Sequence, residues 1–99
     1  MKHIIENINK LFDHRLRLGI MSALMVNRYV DFNTLKELIG ATDGNLASHL
    51  KVLEKEDYIR VRKEFVGRKP NTKYYITKLG ELEFKKHINA LEQLINKQK

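Results

Sequence analysis

The chain has no cysteine, no tryptophan and a single proline in 99 residues. Without thiols there is no disulfide frame, no thiolate metal site and no cysteine nucleophile, which fits a reducing compartment. No apolar run approaches the ~18 residues of a membrane span, and the opening MKHIIENINK lacks the uninterrupted apolar stretch of a secretory signal. A soluble, cytoplasmic protein is expected. Internal repeats, low-complexity tracts and linkers are missing as well, so residues 1–99 are expected to form one domain. A chain of this length buries only about two-thirds of its unfolded surface, so its core is small.

Catalytic groupings are also missing. There is no activated nucleophile, no pair of carboxylates in an apolar setting and no phosphate-binding loop, so neither enzyme activity nor a cofactor is expected. His3, His14, His49 and His87 form no spaced cluster, and the nearest approach to a metal motif is Glu83 with His87, four residues apart. No metal site is expected from that pair alone.

Acids are scarce too: 12 Asp and Glu stand against 19 Lys and Arg, a formal net charge of +7. The excess is local. Residues 60–73 (RVRKEFVGRKPNTK) hold six basic residues and one acid, whereas residues 1–59 hold eight of each sign. Such a concentration of cations suits a polyanion.

Hydrophobic spacing organises the rest. Ile4, Ile5, Ile8, Leu11 and Phe12 recur at helical intervals and predict a first short amphipathic helix. Asp13 is placed to cap a second helix, with Leu16, Ile20, Leu24, Met21 and Met25 inward and Gly19 marking close packing. The methionines are expected to fill the core. Val30, Asp31 and Phe32 predict a very short strand, and Asn33 or Thr34 starts a third helix that turns Leu35, Leu38 and Ile39 inward and ends at Gly40. Only Gly40 and Ala41 precede Thr42, an N-cap for the next helix, and two helices so closely joined form a helix-turn-helix pattern. In the helix over 42–56, Leu46, Leu50 and Leu53 line one face, turning Gly44, Ser48, Lys51 and Lys55 outward with Asn45, Ala47 and Val52 at the flanks. His49, at the edge of the core face, is expected to be structural, and Asp57 stands where the helix would stop, Asp tolerating the left-handed conformation better than most residues other than Gly and Asn.

Period-two alternation follows. One strand arm runs over 58–65, with Ile59 and Val61 on one face and Arg60 and Arg62 on the other; the return arm runs over 72–77, with Tyr74 and Ile76 packing inward. VGRKPN between them supplies turn residues. Thr77 caps a last helix of some 20 residues, whose apolar positions Leu82, Phe84, Ile88, Leu91, Leu94 and Ile95 exceed a one-sided stripe.

LFDHRLRLGIMSAL resembles the opening helix of ArsR-type repressors, and GNLASHLKVLEKEDYI resembles the recognition helix and strand entry of ArsR and MarR regulators. GRKPNTKYYIT followed by KLGELEF resembles the wing tip and final helix of small winged-helix regulators. The resemblance spans residues 11–91. It implies an α+β winged helix-turn-helix, mainly helical, with a small antiparallel sheet and a long C-terminal helix. It further implies a homodimeric transcriptional regulator, with the helix over 42–56 in the major groove and the tip over 66–71 near the minor groove. Asp57 departs from the glycine usual in such relatives, and the metal-sensing cysteine pair of many ArsR repressors is missing.

For a DNA partner, Lys51, Lys55, Arg62, Lys63, Arg68, Lys69 and Lys73 are the expected phosphate contacts. Asn45 and Ser48 are the candidates for base readout, since Asn can bond adenine in bidentate fashion. Arg68 is placed for a narrow minor groove. The helix start at Thr42 to Gly44 offers free amides to a phosphate, with Asp43 opposing it. Wide apolar arcs on the helices over 1–12 and 78–99 predict a two-fold dimer through Ile4, Ile5, Ile8, Phe12, Ile88, Leu91 and Ile95. Its recognition helices would lie about 34 Å apart, and repression is the expected mode. A protein-interaction module is the alternative, with the hairpin charge incidental. A membrane-surface role fits less well, because the cations lie on a hairpin and not on an amphipathic helix.

Overall fold

The structure, a computed structural model, describes residues 5–96. A short 3-10 turn, Lys10–Phe12, leads into helix α1 (Arg15–Val26), strand β1 (Val30–Asp31), helix α2 (Phe32–Ile39), helix α3 (Asp43–Lys55), strand β2 (Ile59–Val66), strand β3 (Lys69–Ile76) and helix α4 (Lys78–Asn96). The strands form one antiparallel sheet in the order β1-β3-β2.

The expected first helix is not formed among the described residues. Asn9 explains why. Its backbone N–H donates to His87 Nδ1 on α4 (3.0 Å), its side-chain amide donates to the Tyr58 hydroxyl (3.2 Å), and its side-chain oxygen accepts the Leu11 N–H. A residue tied in three directions cannot continue a helical ladder, so it caps the short turn instead. Phe12 is thereby driven into its own chain's core, 1% exposed and 5.2 Å from the Tyr58 and Phe84 rings. It is consequently not available to a dimer partner, contrary to expectation.

Caps set most other boundaries. His14, not Asp13, caps α1, with Nδ1 accepting the Leu16 N–H (3.1 Å). Asp31 caps α2 by accepting the Thr34 N–H (2.8 Å), which moves the helix start forward to Phe32. Gly40, at φ 68°, ends α2 in the left-handed region. Thr42 caps α3 as anticipated.

The core gathers Ile20, Met21, Leu24, Leu35, Leu46, Leu50, Leu53 and Ile59 from these elements. Gly19 faces the Ile39 side chain of α2, where an added methyl would make van der Waals contact at 3.4 Å from Ile39 Cγ1. Leu38, expected inward, is 64% exposed and lines an open groove between α1 and α2 with Val26. α2 buries Leu35 and half-buries Ile39, and eight residues do not supply a wider buried face. On α4 the inward stripe is Gly80, Phe84, His87 and Ala90.

α3 closes with two hydrogen bonds around Asp57: Tyr58 N–H to Leu53 O and Asp57 N–H to Glu54 O, both 3.0 Å. Asp57 adopts φ 63°, the left-handed turn of a Schellman end. Thr77 locks the same corner. Its hydroxyl donates to Asp57 O (2.7 Å) and accepts the Gly80 N–H (2.9 Å), while its backbone N–H donates to Tyr58 O (3.1 Å). Gly80 is required here for space, because a methyl on it would overlap the Tyr58 carbonyl oxygen and lie 2.8 Å from the carbonyl carbon.

Two histidines tie helices together in their neutral form. His87 is buried, and its Nδ1 accepts a backbone N–H, so burial holds its pKa below the ordinary value, with Asp13 opposing weakly. His49 Nδ1 meets the Arg17 guanidinium at 2.9 Å and its ring lies 4.1 Å from that of His14, linking α3 to α1. Burial, then His14, then Arg17 lower its pKa. The structural role expected of His49 agrees with these contacts.

Gly80→Ala is expected to destabilise the fold by about 3 kcal/mol or more through overpacking against fixed backbone, whereas Asp57→Gly should stabilise it by about 1 kcal/mol by relieving a left-handed side chain. Urea midpoints of the two variants check both signs. The depressed His87 pKa makes a separate prediction. Above the unfolded histidine value of about 6.5 the group has no effect; as pH falls below it, the unfolded chain binds the extra proton and stability drops. Melting temperature should fall on acidification, and His87→Gln, which keeps an acceptor but does not titrate, should fall less.

Candidate nucleic-acid interface

α3 is held from one side only. Leu46, Leu50 and Leu53 are essentially fully buried, and burying each contributes about 1.5–3 kcal/mol, so the helix has one stable rotation about its axis. That rotation exposes Thr42, Asn45, Ser48, Lys51 and Lys55 together. The Thr42 hydroxyl accepts the Asn45 backbone N–H (3.2 Å) but keeps its own proton to donate. Among the described residues, the side chains of Asn45 and Ser48 have no hydrogen-bond partner within the chain, so their polar atoms face water. Asp43, at the helix start, is paired with Lys36 (2.8 Å), which offsets the repulsion an approaching phosphate would meet; both side chains are exposed, so the pair is weak.

The wing is longer than the sequence predicted. Pairing runs without interruption from Ile59↔Ile76 to Val66↔Lys69, so only Gly67 and Arg68 form the turn and Lys69, Pro70 and Asn71 belong to β3. Gly67 has φ 67° and Arg68 does not share it, the pattern of a type II′ turn with glycine first. Pro70 is tolerated because it sits opposite Phe65, one pair in from the turn, at a non-hydrogen-bonded position where the missing N–H would point away from β2. On that side β3 has no neighbour, since β1 reaches only Tyr74 and Lys73.

Alternation distributes the charge. Arg60, Arg62 and Lys69 project on the face away from the core, Lys63 on the face that continues the core side, and Arg68 at the turn, all exposed. None of the five has an ion-pair partner among the described residues. Lys73 differs. Its ammonium meets Glu64 at 2.6 Å and stands 4.4 Å from the centre of the Tyr29 ring. The Lys73 hydrogen bond lowers the Glu64 pKa, and Glu64 raises that of Lys73. Lys73 is therefore engaged within the sheet, and the remaining wing cations are freer than it to meet phosphates.

Of the expected partner-chain residues, Ile4 lies outside the described residues. Ile5 is exposed and Ile8 half-buried on the N-terminal segment. Ile88, Leu91 and Ile95 follow one another on α4 at spacings of three and four, and Ile88 borders an open groove with Met25 and Val26 of α1. Gly80 was not legible as a site residue in the sequence, although a glycine three residues after a capping threonine was its signal. Phe65 and Val66 likewise went unread, although two adjacent apolar side chains beside Gly67 were their signal. No helix among the described residues is long and apolar enough to cross a membrane.

Comparison with known proteins agrees with this geometry. The family described as "Winged helix DNA-binding domain" matches residues 16–95. An uncharacterized protein of Methanocaldococcus jannaschii is 36% identical over 85 residues, covering 86% of this chain and 92% of its own length. The transcriptional regulator homologue of Pyrococcus horikoshii OT3 superposes with a TM-score of 0.86 at 30% identity, over 97% of this chain and 93% of the other. A MarR-family transcriptional regulator of Silicibacter pomeroyi shares the fold, with a TM-score of 0.71 at 13% identity over 96% of this chain and 63% of the other. With the short helix-turn-helix, the basic two-stranded wing and the long final helix all in place, the chain belongs to the winged helix DNA-binding domain family and is a winged-helix transcriptional regulator.

Proposed function

We propose that the protein is a sequence-specific, dimeric repressor that lays α3 in the major groove of duplex DNA and sets its wing on the adjacent backbone and minor groove. The observation that carries this reading is the pairing of two unsatisfied surfaces: polar side chains on α3 without protein partners, and unpaired cations on the wing. Asn45 and Ser48 supply readout, with Asn45 suited to adenine. Thr42, Lys51, Lys55, Arg62, Lys63 and Lys69 neutralise or bond phosphates, and Arg68 enters the narrow groove. Lys73 supports the strand through Glu64 and contributes a distal charge.

The dimer rests on α4. Ile88, Leu91 and Ile95 form a seam of the heptad type, and Ile5 and Ile8 of the N-terminal segment are further candidates for it. Ile95 is 72% exposed, and a two-fold partner is the simplest cover for such a stripe. Two wings related by that axis suit a palindromic site read about one helical turn apart.

Arg68→Ala with Lys69→Ala is expected to weaken binding on every duplex and to reduce the salt slope, d log K/d log[salt], by about 1.8, the release of two phosphates' counterions. Anisotropy titrations across a NaCl series measure this; an unchanged slope would remove the wing from the interface. Asn45→Ala should instead cost about 1–3 kcal/mol on a selected site and little elsewhere, read by repeating selection from a random duplex pool. Retention of a protein partner with no retention of duplex would establish an interaction module in place of a regulator of this kind. Ile88→Glu with Ile95→Glu should convert the dimer to monomer in sedimentation velocity, and a sedimenting dimer in that variant would move the interface elsewhere.

A further inference from the structure

The tip of the wing carries an apolar pair that phosphate binding does not use. Phe65 is 72% exposed and Val66 is 63% exposed, on opposite faces of the ribbon at the end of β2. Phe65 stands directly across from Pro70, and Val66 across from Lys69. Past the Asp31↔Lys73 pairing the hairpin is two-stranded, so four residue pairs, from Lys63↔Thr72 to Val66↔Lys69, project beyond β1. That ribbon extends roughly 13 Å. Among the described residues no aromatic ring lies against Phe65, whereas Phe12 and Phe84 pack on neighbouring rings and Phe32 packs against the core.

A single exposed apolar side chain is ordinary on a protein surface, but an aromatic ring at a projecting, cation-rimmed tip is placed to meet a partner. Here the surroundings indicate which. Lys63, Arg68 and Lys69 surround Phe65 and Val66 with positive charge, and Glu64 is neutralised by Lys73, so the complementary surface is a polyanion with apolar interior faces. Duplex DNA meets both requirements: phosphates outside, base faces within. A minor groove about 6 Å wide excludes the whole ribbon and admits only its tip side chains.

We propose that Phe65, backed by Pro70, is a wedge that enters a base step from the minor groove and kinks the DNA, so that the wing bends its site as well as neutralising it. Opening a base step costs about as much as burying a phenylalanine returns. Affinity therefore changes little, while geometry and step preference change much. The steps favoured are pyrimidine–purine ones, which unstack most readily. This inference rests on the DNA-binding function proposed above.

Ligase-mediated ring closure tests it without knowledge of the operator. A linear duplex of mixed sequence, about 120 base pairs long, is shorter than the persistence length and closes rarely by itself. With the native protein, closure should increase by about tenfold or more. At protein concentrations matched for equal occupancy by gel retardation, Phe65→Ser should lose that increase and Phe65→Leu should regain most of it. An exposed position leaves folding intact, checked by an unchanged melting temperature. Duplex retained without enhanced closure, or Phe65→Ser closing rings as well as the native protein, overturns the wedge and leaves DNA binding standing. No retention of duplex at all overturns both, so the two failures are distinguishable. A change of sedimenting mass on Phe65→Ser would assign the side chain to a protein contact and likewise overturn the proposal.

Discussion

One corner of the molecule fixes the relation between helix α3 and the wing. There Asp57 turns left-handed, Thr77 bonds the Asp57 and Tyr58 carbonyls and the first turn of α4, and Gly80 leaves space for the Tyr58 carbonyl. α3 ends, β2 begins, β3 ends and α4 begins within a few ångströms of this point. A change of angle here would move the recognition surface and the basic hairpin independently. The corner is built from backbone hydrogen bonds with one hydroxyl bridging them, and such groups have narrow distance and angle limits. It therefore acts as a rigid hinge pin between two binding surfaces, and the apolar core beneath it fixes the rotation of α3.

Electrostatics then acts on that frame. The chain has one strongly basic element, and the structure divides its charges into two sorts. Lys73 is drawn back by Glu64 and Tyr29 and stiffens the sheet; Arg60, Arg62, Lys63, Arg68 and Lys69 stay solvated. Solvated cations are cheap to bring to a phosphate because they give up little on binding, while a paired one must first break its contact. The acid at the head of α3 is managed in the same way by Lys36. A surface that repelled phosphate on a charge count is locally neutral in three dimensions.

Periodic features were legible in the sequence. The buried leucines of α3, the caps at Thr42 and Thr77, the glycine stop at Gly40 and the left-handed Asp57 all follow from local rules, because each depends on residues within a turn of one another. Failures occurred where distant residues competed with local preference. Asn9 interrupts a helical pattern because its partners, Tyr58 and His87, lie far along the chain. Phe12 was assigned outward by arc width and goes inward because α4 and Tyr58 form a cage of rings around it. The wing was drawn short because Gly and Pro together suggested a long loop, although Pro70 faces an edge with no strand beside it.

By itself the sequence determined the winged helix-turn-helix order, the faces of its helices and the placement of excess charge on one hairpin, since all three are encoded by spacing, caps and local composition. Tertiary structure alone decided which cations are free, which hydrophobic side chains remain uncovered at the wing tip and on α4, and how α3 is angled to the wing. Those properties depend on contacts between residues tens of positions apart, and no local pattern specifies whether two such groups will meet.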